Sequence, residues 1–184
     1  MITGPSGVGK GTLIRGLRQR LPRLELSVSA TTRAPRPGER DGVDYHFLSR
    51  ERFDELVAAD EFVEHADYAG RRYGTLRSEL EERVKKGVPV VLEIEVQGAR
   101  QVRAAMPQAV QVFISPPSLE VLRERLQGRG PVSAEELERR MQSAELEMGE
   151  RHGYDYVIHS GTKEQDFRAL LAYWEQARGK VPGG

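Results

Sequence analysis

Runs of alternating or continuous apolar residues along this chain are separated by runs with helical spacing. Residues 24–29 (LELSVS) alternate apolar and polar side chains, as a half-buried strand does, and 62–68 and 71–73 repeat the pattern on either side of Gly70. Residues 89–94 (PVVLEI), 110–114 (VQVFI) and 156–158 (YVI) are nearly continuous apolar runs, which suits strands covered on both faces. Between them, residues 12–20, 50–59, 77–86, 118–127, 134–150 and 164–178 read as helices. Ser49 is a natural N-cap for the second, and Gly87 ends the third. A polar stretch broken by prolines, residues 31–44, interrupts the series before a short apolar run at 45–48. Strands alternating with helices predict an α/β fold on a mostly parallel sheet.

Composition narrows the class. A chain of 184 residues is most simply one domain with a core of useful size. Its 28 basic and 28 acidic residues balance, so nothing favours non-specific binding to nucleic acid or membranes. The absence of cysteine excludes disulfides, zinc–thiolate sites and thiol catalysis. With no apolar run of membrane-spanning length and no charged-then-apolar leader, a cytoplasmic protein is the expectation.

Candidate chemistry begins at the start of the chain. Gly4-Pro5-Ser6-Gly7-Val8-Gly9-Lys10-Gly11-Thr12 has the spacing of a phosphate-binding loop. Gly4, Gly7 and Gly9 let successive N–H groups converge on one anion, and the following helix adds its positive N-terminus. Lys10, one of only five lysines among 28 basic residues, is placed to reach the β- and γ-phosphates of a nucleotide. The bland reading is a glycine-rich turn before a helix. Two features depart from the usual pattern. Gly11 stands where a Ser or Thr would offer Mg²⁺ a hydroxyl, so Thr12 becomes the candidate metal contact. Only Met1-Ile2-Thr3 precedes the loop, which points to a shortened start and leaves the first strand in question.

A second constellation lies in the polar stretch. Arg33 and Arg36, with prolines at 35 and 37, make a short fork suited to a phosphate dianion, unless they belong to an ordinary exposed basic loop. Tyr45 and Tyr73 add hydroxyls on strand-like segments. Glu64 is a carboxylate in a run otherwise suited to burial, and a buried carboxylate needs donors. Guanine offers two adjacent ones, the ring N1–H and the 2-amino group, where adenine presents an acceptor. Ser29 or Thr75 could donate to guanine O6. On pattern alone, a solvent-facing Glu64 is an equal reading. Glu93 and Glu95, after the apolar 89–92 run, could orient a metal-bound water or a ribose hydroxyl, or simply cap a loop.

These segments together closely resemble the guanylate kinase family: the phosphate loop, Ser27 through Glu39 (SVSATTRAPRPGE), Gly42-Val43-Asp44-Tyr45, Glu61 through Glu64, Tyr73-Gly74-Thr75, Glu93 through Ala99 and Pro116-Pro117-Ser118. The resemblance covers nearly the whole chain. It implies a P-loop NTPase-type parallel-sheet core flanked by helices (residues 1–28, 81–119 and 147–184), a GMP-binding part (29–80) and a helical lid (120–146), both closing on substrates. It implies transfer of the γ-phosphoryl of Mg²⁺·ATP to GMP. Ser29, Glu64 and Thr75 would then read guanine, and Arg33, Arg36, Tyr45 and Tyr73 would hold the GMP phosphate. Glu93 and Glu95 fall on the acceptor-site acids, the first of which is often Asp in relatives. Arg125, Arg129 and Arg140 are candidates to close over the ATP phosphates, with Lys10, Arg36, Arg129 and Arg140 neutralising the transition state. His159-Ser160-Gly161 stands where the family usually carries Asn-Asp near adenine, so adenine recognition is expected to be looser or to fall to backbone groups. Two other readings are a kinase of the same fold for another small phosphate ester and a non-catalytic GMP-binding module. Modules of that kind typically lose the phosphate loop, which is kept here. A monomer or a small homo-oligomer fits either way.

Overall fold

The structure, a computed structural model, describes residues 1–68, 70–128 and 132–178. Two compact units are formed, Met1–Pro22 with Val110–Gly184, and Arg23–Ala109.

In the first unit, β1 (Ile2–Thr3), β8 (Val112–Ser115) and β9 (Tyr156–His159) form a parallel sheet in the order β1-β8-β9. All four residues of β8 are buried, as the continuous apolar run predicts for a strand with neighbours on both sides. The first strand does form. Ile2 pairs with Val112 and Thr3 with Phe113, while the Met1 amino group donates to the Val110 carbonyl at 2.5 Å. Around the sheet lie α1 (Lys10–Arg20), α5 (Leu119–Gln127), α6 (Ala134–Gly149) and α7 (Lys163–Arg178). Leu13, Ile14 and Leu17 form the buried stripe of α1, which packs against α7. Helices α5 and α6 join through Leu122, Leu126, Leu137, Met141 and Ala144. Ser118 and Ser133 cap them, accepting from Val121 N at 3.3 Å and Glu136 N at 3.1 Å.

The connection from β1 into α1 depends on Gly4. Its φ is +144°, and a Cβ there would lie 2.2 Å from the backbone oxygen of Ile114 on β8. Neither backbone can yield without breaking the sheet. Gly4→Ala is therefore expected to destabilise the protein by about 3 kcal/mol, summing backbone strain and overpacking. A melting temperature within a degree of the parent would contradict this.

The second unit holds two sheets. β2 (Glu25–Leu26) pairs in parallel with β7 (Val90–Val91). A four-stranded sheet has the order β4 (His46–Phe47), β3 (Ala30–Thr31), β6 (Arg71–Leu76), β5 (Phe62–Tyr68). It is mixed, since β3 runs parallel to β4 while β6 runs antiparallel to both β3 and β5. Three helices complete the unit: α2 (Arg50–Ala58), α3 (Arg77–Lys85) and α4 (Val96–Ala105). Ser49 caps α2 through Arg52 N, and Gly87, with φ +66°, follows α3. Phe53 stacks on Phe62 with centroids 4.4 Å apart and, with Ala30, forms a core under the mixed sheet.

Two expectations are corrected here, and one helix is added. The single strand at 24–29 is divided: Ser27 N bonds Val91 O, then Ser29 O accepts from His46 N, so the chain changes sheets midway. The 89–94 strand keeps its ladder only at Val90–Val91, although Leu92 and Ile94 remain buried. Helix α4 was absent from the periodicity reading. Its buried face is Val96, Gly98, Ala99 and Val102, in which a glycine and two β-branched residues lower the helix propensity.

Candidate active site

In the first unit, the loop and the start of α1 make an anion cradle. Gly7 and Gly9 take φ of +91° and +110°, Val8 N bonds Pro5 O at 3.2 Å, and Gly9 O starts the helix by accepting from Leu13 N. No side chain caps α1 and no acid lies in its first turn, so the helix end remains available to a phosphate. Lys10 is 7% exposed, with Nζ 2.5 Å from Gly4 O and 3.4 Å from Pro5 O. Carbonyl dipoles, with no carboxylate bound to Nζ, thus hold this cation in the described structure. A bound phosphate would supply the missing negative charge.

In the second unit, the central feature is the cross-strand pair Glu64 and Thr75 on β5 and β6. A ladder irregularity between Phe62 and Glu64 leaves Phe62, Val63 and Glu64 all buried, where plain alternation would send one outward. Glu64 is 4% exposed and Thr75 is fully buried. Thr75 Oγ1 donates to Glu64 Oε1 at 2.7 Å. Burial pushes the Glu64 carboxyl up to about 7; the Thr75 hydrogen bonds oppose this, and Glu95 adds repulsion. Glu95 itself carries one buried carboxylate oxygen without a hydrogen-bond partner. Helix α4 comes close because residue 98 is glycine: a Cβ there would lie 2.2 Å from Glu64 Oε2.

Beside this pair, Tyr45 and Tyr73 meet edge to face at 6.1 Å. The Tyr45 hydroxyl is raised above its ordinary value by burial first, then by Tyr73 and Glu93. Ser29 is half-buried.

Comparisons with known proteins are consistent over the length of the chain. The guanylate kinase family model matches residues 1–177. A guanylate kinase from Trichormus variabilis is 51% identical over 177 residues, 96% of this chain and 87% of that protein. One from Synechococcus sp. (strain CC9311) is 52% identical over 158 residues, 86% of this chain and 83% of its own length. The crystal structure of guanylate kinase from Anaplasma phagocytophilum superposes with a TM-score of 0.75 at 34% identity, covering 98% of this chain and 85% of that one. The chain belongs to the guanylate kinase family. It is an enzyme of the nucleoside monophosphate kinase group, on the P-loop NTPase fold.

Arg33 is not a free fork tine. It forms a two-pronged pair with Glu39, both contacts 2.9 Å, and lies over the Tyr45 ring at 5.2 Å. Glu39 also accepts from Arg36 N at 2.7 Å, so it ties the turn that carries both arginines. The Glu39 carboxyl is held below the usual range by Arg33 and then by the Arg36 amide. Sequence reading missed Glu39; the signal available was an acid three residues after Arg36, in a turn with Gly38. The Arg36 side chain is exposed.

Arg140 donates through Nε to Glu136 Oε1 at 2.7 Å, and Arg139 pairs with the same carboxylate at 2.6 Å. Both therefore show ordinary helix-surface pairing at i,i+3 and i,i+4. Arg125 donates to Val8 O and Ser160 Oγ, each 3.3 Å. Arg129 lies outside the described residues. Thr12 is exposed on the first turn of α1. Among the described residues, no three His, Asp or Glu side chains cluster as a metal cage, and no helix is long and apolar enough to cross a membrane.

Proposed function

We propose that this guanylate kinase family member holds ATP on the unit carrying the phosphate loop and GMP on the unit carrying Glu64. The reaction is transfer of the γ-phosphoryl of ATP to GMP, giving ADP and GDP. A GMP phosphate oxygen is already an adequate nucleophile, so the protein supplies alignment and charge neutralisation rather than a general base. Residues 4–12, from Gly4 to Thr12, cradle the donor phosphates, and Lys10 exchanges its carbonyl partners for phosphate oxygens. Arg125, Arg129 and Arg140 complete the donor site. Release of Arg140 from Glu136 frees a guanidinium for the transferring phosphoryl.

The buried Glu64–Thr75 pair carries the acceptor assignment. Glu64 accepts from guanine N1–H and the 2-amino group. Thr75 already donates to Glu64, which leaves the Ser29 hydroxyl to donate to O6. Arg33, Arg36, Tyr45 and Tyr73 hold the GMP phosphate, with Glu93 and Glu95 beside the acceptor. Mg²⁺ would enter with ATP: a Thr12 hydroxyl, phosphate oxygens and water make the hard-oxygen set this ion prefers. Bound there, it neutralises phosphate charge. We further place the enzyme in the cytoplasm, as a monomer or small homo-oligomer, with the three-part division at residues 29–80 and 120–146 as its working parts.

ADP formation with GMP, AMP or dTMP as acceptor tests this directly. Turnover with GMP alone is expected; comparable turnover with AMP would refute the Glu64 assignment. A finer test is Gly98→Ala, whose methyl would displace the Glu64 carboxylate. Alanine is the better helix former, by roughly 1 kcal/mol, so the fold should be kept. KM for GMP should rise about tenfold while KM for ATP stays put, since a displaced acceptor forfeits a charge-assisted hydrogen bond. Guanine binding also needs the charged carboxylate. KM for GMP should therefore fall as pH rises through about 7 and level off above it.

A further inference from the structure

One buried polar network in the first unit is left unassigned by the functional reading, and it lies where the chain departs from its family. Ser160 and Asp166 are 4% and 6% exposed. Asp166, in the first turn of α7, accepts from Gly161 N through Oδ1 at 2.7 Å and from the Ser160 hydroxyl through Oδ2 at 3.0 Å. On the other side of Ser160, Arg125 Nη1 reaches the same hydroxyl oxygen at 3.3 Å and Val8 O of the phosphate loop at 3.3 Å.

The direction of this chain of bonds is fixed by chemistry. A carboxylate only accepts, so the single hydroxyl proton of Ser160 must go to Asp166. Arginine only donates, so the Ser160 lone pairs must face Nη1. A buried acid and a half-buried cation are thus linked through one hydroxyl, and each supplies what the other's desolvation requires. Nothing in α7 needs this arrangement. Its cap is Thr162, whose Oγ1 accepts from Gln165 N at 3.3 Å, and a Ser160 that merely followed β9 would have no reason to meet Arg125.

We propose that Ser160 and Asp166 are positioning residues of the donor site: together they orient the Arg125 guanidinium against the Val8 carbonyl, so that it meets the nucleoside triphosphate already aligned. The proposal rests on the reading of Arg125 as a donor-site residue. It also gives the His159-Ser160-Gly161 departure a purpose: in place of a side-chain amide beside the donor, this chain orients an arginine from behind.

The test is a steady-state comparison of the intact enzyme and its variants, with ATP and GMP varied separately. Ser160→Ala should raise KM for MgATP about three- to tenfold, the worth of one ordinary hydrogen bond, because the arginine is misaligned rather than removed. KM for GMP should change by less than about twofold, and Ser160→Thr, which keeps the hydroxyl, should recover much of the loss. Asp166→Asn is the second variant. It keeps an oxygen for Gly161 N but presents an amide donor to Ser160, and should copy the ATP-specific defect of Ser160→Ala. In an Arg125→Met background, Ser160→Ala should add nothing. The proposal is overturned if the ATP and GMP constants rise together, or if the Ser160→Ala effect persists undiminished without Arg125. If Arg125→Met itself leaves KM for ATP unchanged, the donor-site reading fails. If only Arg125→Met raises it, the positioning role alone fails.

Discussion

Glu64→Gln is expected to cut kcat/KM for GMP by about a hundredfold or more while making the free protein more stable at pH 8. The two effects share one cause. Glu64 is buried, and its carboxyl is raised to about 7, mainly by desolvation. In the unfolded chain it ionises near 4.5, so between pH 4.5 and 7 the folded state binds the extra proton. Stability of the unliganded protein therefore falls as pH rises across that window and is flat above it. Glutamine can take up the Thr75 hydrogen bond without ionising, which should return about 1–3 kcal/mol at pH 8 and nothing at pH 4.5. The same amide turns a donor toward guanine, where two acceptors are needed, and it no longer repels the adenine ring nitrogen. Selectivity for GMP over AMP should narrow accordingly. Thermal melts at pH 4.5 and 8, beside kcat/KM for both nucleotides, check every part. A variant that is less stable at pH 8 would show that the buried charge is compensated in the free protein.

Lys10→Met should reduce turnover about 10²- to 10³-fold with the fold intact. Methionine fills a similar volume, and the free protein loses a desolvated cation held, among the described residues, by the carbonyls of Gly4 and Pro5. Its melting temperature without ligand should be close to that of the parent. The telling measurement is the shift on adding MgATP. At a hundred times Kd, a ligand stabilises by about 2.7 kcal/mol, and most of that gain should vanish in the variant at the same concentration. A full ATP-induced shift with lost turnover would mean that Lys10 acts only on the transition state. An intact turnover would remove Lys10 from the mechanism.

Legibility along the chain followed the strength of local signals. The phosphate loop and α1 were readable because glycine spacing, lysine and helical periodicity lie within seventeen residues. The helix cap at Ser49 depends on its own next turn and no more. The break within residues 24–29 was not readable, because which sheet Ser27 and Ser29 join depends on strands over sixty and seventeen residues away, at Val91 and His46. Helix α4 was obscured by Gly98, a residue that local propensity counts against a helix and that contact with Glu64 requires.

The sequence by itself determined the chemical groups on offer: a glycine-rich loop with its lysine, a paired-arginine turn, a carboxylate within an apolar run, and a family. Motif spacing fixes these because each motif works through neighbours a few bonds away. Tertiary structure alone decided their state. Glu64 and Thr75, eleven residues apart, became one buried pair through strand register. Arg33 was claimed by Glu39, Arg140 by Glu136, and Arg125 by Val8 and Ser160. Burial, ionisation and partner choice are properties of the space around a side chain, and that space is made by residues distant in the chain.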